Sequence, residues 1–308
     1  MPAKEFDYDA LYEFITSSRD KTLLEMASKC GASYVGSTSS MTSVLAHFHY
    51  LLSFWRPVNI SMLSTAYIDQ FSSFTAITRA PITIFLRYRG NGIYAIDAGK
   101  MFEKEESVLS FLGRSMEKML TLPREHMEKY RKELSHTLQP RERGQPEAYH
   151  YTQCGGILMR SQLDCHDSRL PGSGVFDLKT RACITVRMDL RHISERSTYE
   201  IHHLTGKYNS FEREYYDMIR SAFLKYSLQV RIGNMDGIFV TYHNTNRIFG
   251  FQYISLEELD LAIHGSREDD IGRREFHFST KLFNEALDLA VKRFPEQVFL
   301  CFLIGANE

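Results

Sequence analysis

The chain has 308 residues, 43% hydrophobic and 13% aromatic, so it can bury a sizeable core, and its composition excludes an intrinsically disordered protein. Lys and Arg total 37 against 38 Asp and Glu, and this formal net charge of −1 gives no overall basic signal for nucleic acid. The charge is uneven, because residues 156–231 carry 12 Lys or Arg against 9 Asp or Glu. If a metal ion neutralises two of these acids, the segment becomes clearly positive and suits a polyanionic ligand.

Five cysteines occur without a C-x-x-C pair, and this odd number predicts a reducing compartment with mostly buried thiols. Zinc binding by Cys165, His166 and Cys183 is the alternative. No apolar run reaches the roughly 18 residues that a membrane span needs. The acidic start, MPAKEFDYDALYEF, lacks the Arg-rich, acid-poor pattern of a mitochondrial transit peptide.

The apolar pattern alternates between helical spacing and short β-rich runs. In chain order it predicts helices over 7–29, with a break near residues 17–20, and over 44–55, strands over 82–89 and 93–98, and helices over 103–122 and 124–138. It next predicts a strand over 147–153, a hairpin within 157–187, a helix over 210–226, and strands over 237–243 and 247–254. It ends with helices over 256–263 and 278–294 and a strand over 298–304. Residues 30–40 and 265–272 are predicted loops. His47 and His49 have no partner four residues away on their helix, so we predict ordinary core or surface histidines.

The predicted hairpin carries the chemistry of this sequence. A turn rich in Asp, Ser, Pro and Gly at residues 167–174 separates two β-rich runs. Asp164 ends the first run, and closing the hairpin brings it beside Asp177. Side chains at i and i+2 of a strand share a face, so Lys179 projects together with Asp177. Two carboxylates beside a lysine indicate a divalent-cation site with a positive charge placed to orient a nucleophile or to neutralise developing charge.

The second strand of the hairpin is predicted to have two unlike faces. Arg181 continues the face of Asp177 and Lys179, whereas Phe176 and Leu178 point the other way. We therefore expect one chemical face and one core face.

Asp164, twelve intervening residues and Asp177-x-Lys179 resemble the catalytic hairpin of the PD-(D/E)XK nuclease superfamily. The run DLKT at residues 177–180 is especially similar to the RecB-like exonuclease branch. Longer segments resemble the fungal mitochondrial RNA 5′-end-processing factor family and cover most of the chain in the right order. They are GSTSSMTSVLAHFHYLLSFWRP, FLRYRGNGIYAIDA, RSQLDCHDSRLPGSGVFDLKTRA and EREYYDMIRSAFLKYSLQVRIGNMDGIFVTYHNT.

This resemblance implies an α/β (α+β) fold. We expect a PD-(D/E)XK nuclease-like αβββαβ core with a mixed central sheet flanked by helices, extended by a C-terminal helix and strand, over residues 101–308. Residues 1–100 are expected to form a helical and β-hairpin region packed on that core.

The resemblance also implies a set of site residues. Nucleases of this superfamily need a further acid, usually on the first core helix, and GRSME at residues 113–117 resembles the G-x-x-x-E form found there. Asp164, Asp177 and Glu117 are thus the implied ligands of Mg²⁺ or Mn²⁺, and Lys179 is the implied catalytic cation.

Further candidates lie around this set. Glu147, at the start of the first core strand, is the alternative third ligand. Arg169, Arg181 and Tyr215 are predicted to bind substrate, the tyrosine by stacking on an unpaired base. A core position is the alternative for Tyr215, and a purely polar role in the hairpin is the alternative for Arg169. The Gln-x-x-x-Tyr pattern common after the RecB-like hairpin is absent from the following helix.

The family resemblance implies a metal-dependent exoribonuclease that acts 5′-to-3′ on single-stranded mitochondrial RNA in 5′-end processing and degradation. The alternative is a non-catalytic adaptor that binds RNA, the mitochondrial RNA polymerase or the inner-membrane surface. Cleavage of DNA is a third hypothesis. An adaptor has no need to hold acids beside a lysine, which favours the enzyme. We expect a location in the matrix or on the matrix face of the inner membrane. Because no transit peptide is visible, we also expect a core fragment or an incomplete gene model.

Overall fold

The computed structural model describes residues 3–11, 14–99, 108–139, 148–188, 199–267 and 269–303. Its strands are β1 (Tyr34–Ser37), β2 (Ile82–Tyr88), β3 (Tyr94–Ala98), β4 (Ala148–Cys154), β5 (Ile157–Leu163), β6 (Cys165–His166), β7 (Val175–Ala182), β8 (Gly237–His243), β9 (Ile248–Ser255) and β10 (Phe299–Leu303). Its α-helices are α1 (Lys21–Cys30), α2 (Thr38–Leu52), α3 (Ala76–Arg79), α4 (Val108–Thr121), α5 (Arg124–Glu128), α6 (Ile184–Met188), α7 (Phe211–Ser221), α8 (Phe223–Gly233), α9 (Leu256–His264) and α10 (Asp269–Arg293).

The strands form two mixed sheets, in the orders β10-β2-β3-β1-β5-β4 and β6-β7-β8-β9. In the first sheet β1 runs parallel to both β3 and β5, and in the second β7 runs parallel to β8. The remaining pairs are antiparallel. The succession of α4, β4, β5, β7, the helices α7 and α8, and then β8 is the αβββαβ order. The predicted PD-(D/E)XK nuclease-like fold is therefore confirmed.

A single large core joins the two sheets. Helices α2 and α8 pack on each other, and each also packs against strands of the first sheet, while α8 reaches β8 of the second. The buried apolar residues of this core extend along the chain from Tyr34 to Leu287. Strand β10 pairs with β2, so residues far apart in the sequence are neighbours in the first sheet. The predicted boundary between residues 100 and 101 stays a prediction.

In the segment predicted to be helical over residues 7–29, the predicted break near residues 17–20 is confirmed, but no α-helix forms in the described residues before it. The α-helix begins at Lys21, because the Asp20 side chain accepts a hydrogen bond from the Leu23 N–H at 3.0 Å and caps it. Short 3-10 turns precede it. The helix predicted over 124–138 is also too long and ends at Glu128.

The predicted loop over residues 30–40 hides a central strand. β1 is only four residues long and includes Gly36, so its composition is typical of a loop. The Ser40 hydroxyl accepts a hydrogen bond from the Ser37 N–H at 3.1 Å, and this capping contact starts α2 earlier than predicted.

The helix predicted over residues 210–226 is two helices. The Ser210 side chain caps α7, and the backbone breaks at Ala222, where φ is −135° and ψ is −35°. α8 then continues to Gly233 and carries Tyr226 toward the hairpin. Farther on, the predicted loop over 265–272 is partly wrong, since α10 already begins at Asp269.

Within the described ranges, none of the helices is both long and apolar enough to span a membrane.

Candidate active site

The hairpin places Asp164 beside Asp177. Cys165 pairs with Phe176 in the antiparallel β6–β7 ladder. Asp164 lies one residue beyond this pair, where a continued register puts it opposite Asp177. The Leu178 N–H donates a hydrogen bond to Asp164 Oδ2 at 3.0 Å, which fixes the carboxylate against the second strand.

The two faces of β7 differ from the predicted arrangement. Asp177 is fully buried, whereas Phe176 and Leu178 on the opposite face are only half-buried. The reason is the neighbouring strand β8, which aligns the fully buried Val240 beside Lys179, on the face of Asp177. The expectation that Phe176 and Leu178 form the core face is therefore wrong, and the charged face is the deeper one.

The charges of the hairpin depend on one another. Burial raises the pKa of Asp164 to about 9, and the adjacent Asp177 carboxylate adds to this shift. Lys179 Nζ lies 2.6 Å from Asp177 Oδ2 and partly opposes the rise. Burial by itself lowers the pKa of the Lys179 ammonium, but Asp177 and Asp164 outweigh it and hold that pKa above its usual value. In the metal-free site Asp164 therefore holds a proton at neutral pH while Asp177 pairs with Lys179, and a bound divalent cation would displace that proton.

The oxygens of Asp177 have the surroundings of cation ligands. Both are shielded from solvent, and the Lys179 ammonium lies 2.6 Å from one of them. Buried carboxylates are costly unless cations neutralise them, and here one ammonium faces two carboxyl groups. Mg²⁺ and Mn²⁺ prefer carboxylate oxygens, so Asp177 and Asp164 fit such an ion.

Helix α4 brings Glu117 toward the hairpin. α4 packs against β7, and Gly113 lies so close to it that an added Cβ would be 3.1 Å from Thr180 Oγ1. Glu117 is one turn further along the same helix face. Its charge adds to the rise in the pKa of Asp164 and of the Cys165 thiol. Glu117 thus acts electrostatically on the site.

Glu117 does not lie close enough to complete a compact ligand set with the two aspartates. In the part of the chain that the structure describes, the one group of three ligand atoms within 4.8 Å of one another belongs to other residues, on α2, α9 and α10. The same finding shows that Cys165, His166 and Cys183 do not form the alternative zinc site. Glu147 lies outside the described residues.

Arg181 on β7 and Tyr226 on α8 are further residues around Lys179. The Arg181 side chain is 10% exposed, and its Nε and Nη2 atoms have no hydrogen-bond partner. Burial lowers the pKa of its guanidinium. The ring of Tyr226 lies 5.5 Å from Lys179 Nζ. The sequence did not indicate Tyr226 as a site residue, because this tyrosine is not part of a Gln-x-x-x-Tyr pattern. Its position on α8 places it near Lys179.

Two predicted substrate-binding residues do not join this cluster. Arg169 lies in the turn with its side chain 88% exposed, and it is held by Asp167 at 2.6 Å. Tyr215 is buried, with its ring 5.2 Å from that of Phe223 and its hydroxyl donating to Glu258. This position gives Tyr215 a packing role.

Comparison with known proteins identifies the family. The family described as "Mitochondrial protein Pet127" matches residues 14–288. The chain belongs to the Pet127 family. The "mRNA degradation protein pet127, mitochondrial" of Schizosaccharomyces pombe is 41% identical over 310 residues, which cover 98% of this chain and 58% of that protein. The "Putative mitochondrial translation system component PET127" of Saccharomyces cerevisiae is 45% identical over 258 residues, which cover 82% of this chain and 30% of that protein.

The chain thus spans 58% and 30% of the length of these two Pet127 relatives. The family and both relatives are named as mitochondrial, so the predicted mitochondrial localisation is confirmed. Solved structures of Rai1 from Scheffersomyces stipitis and S. pombe are similar at TM-scores of 0.42 and 0.46 and 10% identity. They cover 98% and 93% of this chain and 77% and 74% of those chains.

Proposed function

We propose that this chain is a metal-dependent exoribonuclease that hydrolyses phosphodiester bonds of mitochondrial RNA from the 5′ end. The observation that carries the proposal is the pair Asp164 and Asp177 beside Lys179. The Asp177 oxygens are buried with the Lys179 ammonium 2.6 Å from one of them, and the pKa of Asp164 is raised to about 9 by burial and by its neighbour. Two buried carboxyl groups share this single ammonium, which supports a site for a second, divalent cation.

Asp164 and Asp177 would hold Mg²⁺ or Mn²⁺, and Glu117 is the predicted third acid. A bound divalent cation would lower the pKa of the attacking water and neutralise charge on the phosphate. Lys179, placed by the strand beside Asp177 at 2.6 Å, orients the water or stabilises the pentavalent phosphate.

Arg181 and Tyr226 suit the rest of the substrate. Residues i and i+2 of a strand are roughly 6.6 Å apart, so Arg181 lies one such step beyond Lys179 along the charged face. Its Nε and Nη2 atoms have no hydrogen-bond partner, although Nε lies 4.0 Å from Glu214 Oε2, and they would donate to a phosphate next to the one that reacts. Tyr226, whose ring centre lies 5.5 Å from Lys179 Nζ, would contact a sugar or base at the same place.

RNA as substrate is supported by the name of the S. pombe relative, an mRNA degradation protein. The 5′-to-3′ direction, the role in 5′-end processing and the matrix location come from the resemblance of the sequence segments. Single-stranded RNA is the proposed partner, and contacts with the mitochondrial RNA polymerase or the inner membrane are proposed for the adaptor alternative.

The adaptor alternative has one observation in its favour. Residues 54–77 expose large apolar side chains, with Phe54 91%, Ile77 86% and Phe71 76% exposed. Exposed apolar groups of this size are typical of interaction surfaces. An adaptor would bind RNA or a protein without cleaving, and its hairpin would need no cation.

The deciding experiment uses single-stranded RNA labelled at either the 5′ or the 3′ end, and matched DNA, with Mg²⁺, Mn²⁺ or a chelator. We expect metal-dependent loss of RNA, with the 5′ label released first as a short product while the 3′-labelled RNA shortens gradually. Binding without any cleavage in both metals would support the adaptor. Release of the 3′ label first would reverse the proposed direction, and equal cleavage of DNA would broaden the substrate.

A further inference from the structure

A second group of metal-ligand side chains lies where three helices meet, on elements other than the hairpin. His49 on α2, His264 at the end of α9 and Glu275 on α10 each offer one ligand atom, and these atoms lie within 4.8 Å of one another. His49 Nδ1 is 2.7 Å and His264 Nδ1 3.3 Å from Glu275 Oε2. Their side chains are 3%, 4% and 16% exposed, so the group is enclosed.

His264 lies among charged groups that suit a metal ligand. Its Nδ1 atom is 3.0 Å from Arg56 Nη2 and 3.3 Å from Glu275 Oε2, so an ion that displaces Arg56 would find this nitrogen beside the carboxylate. Its Nε2 atom lies 3.7 Å from Asp260 Oδ1. Metal-binding histidines usually direct their second nitrogen at a carboxylate in this way. Asp260 is held in turn by Arg231.

Glu275 is also arranged as a ligand. Its Oε1 atom accepts a hydrogen bond from Arg56 at 2.7 Å. Its Oε2 atom is buried and has no hydrogen-bond partner of good geometry, although His49 Nδ1 is close. Tetrahedral zinc with bonds of about 2.0–2.1 Å sets its ligand atoms about 3.4 Å apart. The pair of His264 Nδ1 and Glu275 Oε2, at 3.3 Å, already has this spacing, and His49 Nδ1, at 2.7 Å, would move outward by less than about 1 Å.

We propose that His49, His264 and Glu275 bind a zinc ion that fastens α9 and α10 to α2. Two imidazole nitrogens and one carboxylate oxygen are a donor set that suits zinc, and a water completes four-coordination. Because the three ligands come from three helices, the ion adds a cross-link that the unfolded chain lacks, so binding stabilises the fold. This site is separate from the proposed nuclease centre and does not depend on it.

The competing explanation is a network of ion pairs without a metal, in which Arg56 and the histidines simply neutralise Glu275. Arg56 distinguishes the two explanations. Its side chain is 33% exposed, so it can turn toward solvent when a cation arrives. In a pure ion-pair network Arg56 is a stabilising partner, whereas in a zinc site it competes with the ion for Glu275 and His264.

The test uses the Asp177→Asn protein, so that the hairpin contributes no metal binding. After treatment with a chelator, zinc is returned and bound zinc and Tm are measured. We expect one equivalent of zinc and a rise in Tm of about 5 °C at a hundredfold excess over Kd. Introducing His49→Gln or Glu275→Gln into the Asp177→Asn protein should abolish both the zinc binding and the rise in Tm. His47→Gln is the matched control, because His47 is on the same helix but hydrogen-bonds the Ser43 and Ala80 carbonyls.

Arg56→Met in the same background decides the case even if the ligand variants fold poorly. Loss of the competing cation should tighten zinc binding several-fold. A lower Tm that zinc does not restore would instead establish the ion-pair network and overturn the proposal. Absence of zinc binding by the Asp177→Asn protein, or undiminished binding by a folded Glu275→Gln variant, would overturn it as well.

Discussion

The Leu178 N–H donates to Asp164 Oδ2 at 3.0 Å, and this bond holds the first acid of the hairpin across from the second strand. A shift of one residue in this register would turn Asp177 and Lys179 to the other face of the sheet. The bond therefore links the geometry of the turn to the assembly of the charged group.

Asp177→Asn should abolish metal-dependent cleavage and leave the fold nearly unchanged, because asparagine keeps the size of the side chain and removes the ligand charge. The measurements are the cleavage rate of 5′-labelled RNA with Mg²⁺ and a thermal melt. Asp270→Asn is the control, because Asp270 is exposed and its carboxylate pairs with Arg273, away from the hairpin. Turnover of Asp177→Asn at the rate of the unaltered protein would remove the hairpin from the mechanism.

The metal-free protein should lose stability as pH rises. The folded-state pKa of Asp164 is raised to about 9, mainly by burial, so the folded chain holds a proton that the unfolded chain releases near pH 4. Unfolding therefore releases a proton between these values, and stability falls as pH rises through that window. Asp164→Asn should melt several degrees higher than the unaltered protein at pH 8 in a chelator, and nearly equally at pH 4.

Saturating Mg²⁺ provides the control for this pH effect. The cation compensates the two carboxylates, so the unaltered protein should lose most of its alkaline destabilisation, while Asp164→Asn should respond little. A Tm difference between the two proteins that is the same at pH 4 and pH 8 would contradict the assigned pKa.

The local parts of the site were predictable from the sequence. The alternation of strand residues placed Asp177 beside Lys179, and the turn composition placed Asp164 across from them. Which face of β7 is buried was not predictable, because it depends on Val240. This residue lies on β8, which follows α7 and α8 in the chain but pairs with β7.

Long-range meetings were also beyond the sequence. His49 was predicted to be an ordinary histidine because no ligand type lies one turn away, yet the fold brings it to His264 from a distant helix. Strand β1 was hidden by its short, glycine-containing sequence, although its pairing with β3 and β5 puts it in the middle of a sheet. Packing of distant segments decides such features, and periodicity reports only neighbours along the chain.

Gly113→Ala should lower the cleavage rate although alanine is the better helix former by about 1 kcal/mol. The new Cβ would lie 3.1 Å from Thr180 Oγ1, so Thr180 or α4 must shift by a few tenths of an ångström, and a shift of α4 would carry Glu117 away from the hairpin. Thr180→Ala removes the obstructing oxygen, and the double variant should recover most of the rate. No recovery in the double variant, at equal Tm, would show that Gly113 acts in another way.

Arg181→Gln should weaken RNA binding and reduce its salt dependence. Each phosphate contact to a single strand contributes about 0.7 to the slope of log K against log salt, so loss of one contact should lower the slope by about that amount. Binding is measured in a chelator, between about 50 and 200 mM salt. Arg273→Gln, at an exposed position, is the control. An unchanged slope for Arg181→Gln with a reduced slope for Arg169→Gln would move the phosphate contact to the turn.

Glu117→Gln should cut the cleavage rate on the order of a hundredfold, by analogy with loss of a positioned charge stabiliser. The charge of Glu117 adds to the raised pKa of Asp164, so its removal also relieves repulsion, and the metal-free Tm should hold or rise. If Glu117 were only a solvated helix residue, glutamine would cost almost nothing, since both are good helix formers. Glu147→Gln, assayed in parallel with and without Mn²⁺, should keep its rate. Full activity in Glu117→Gln together with an inactive, folded Glu147→Gln would move the third ligand to the first core strand.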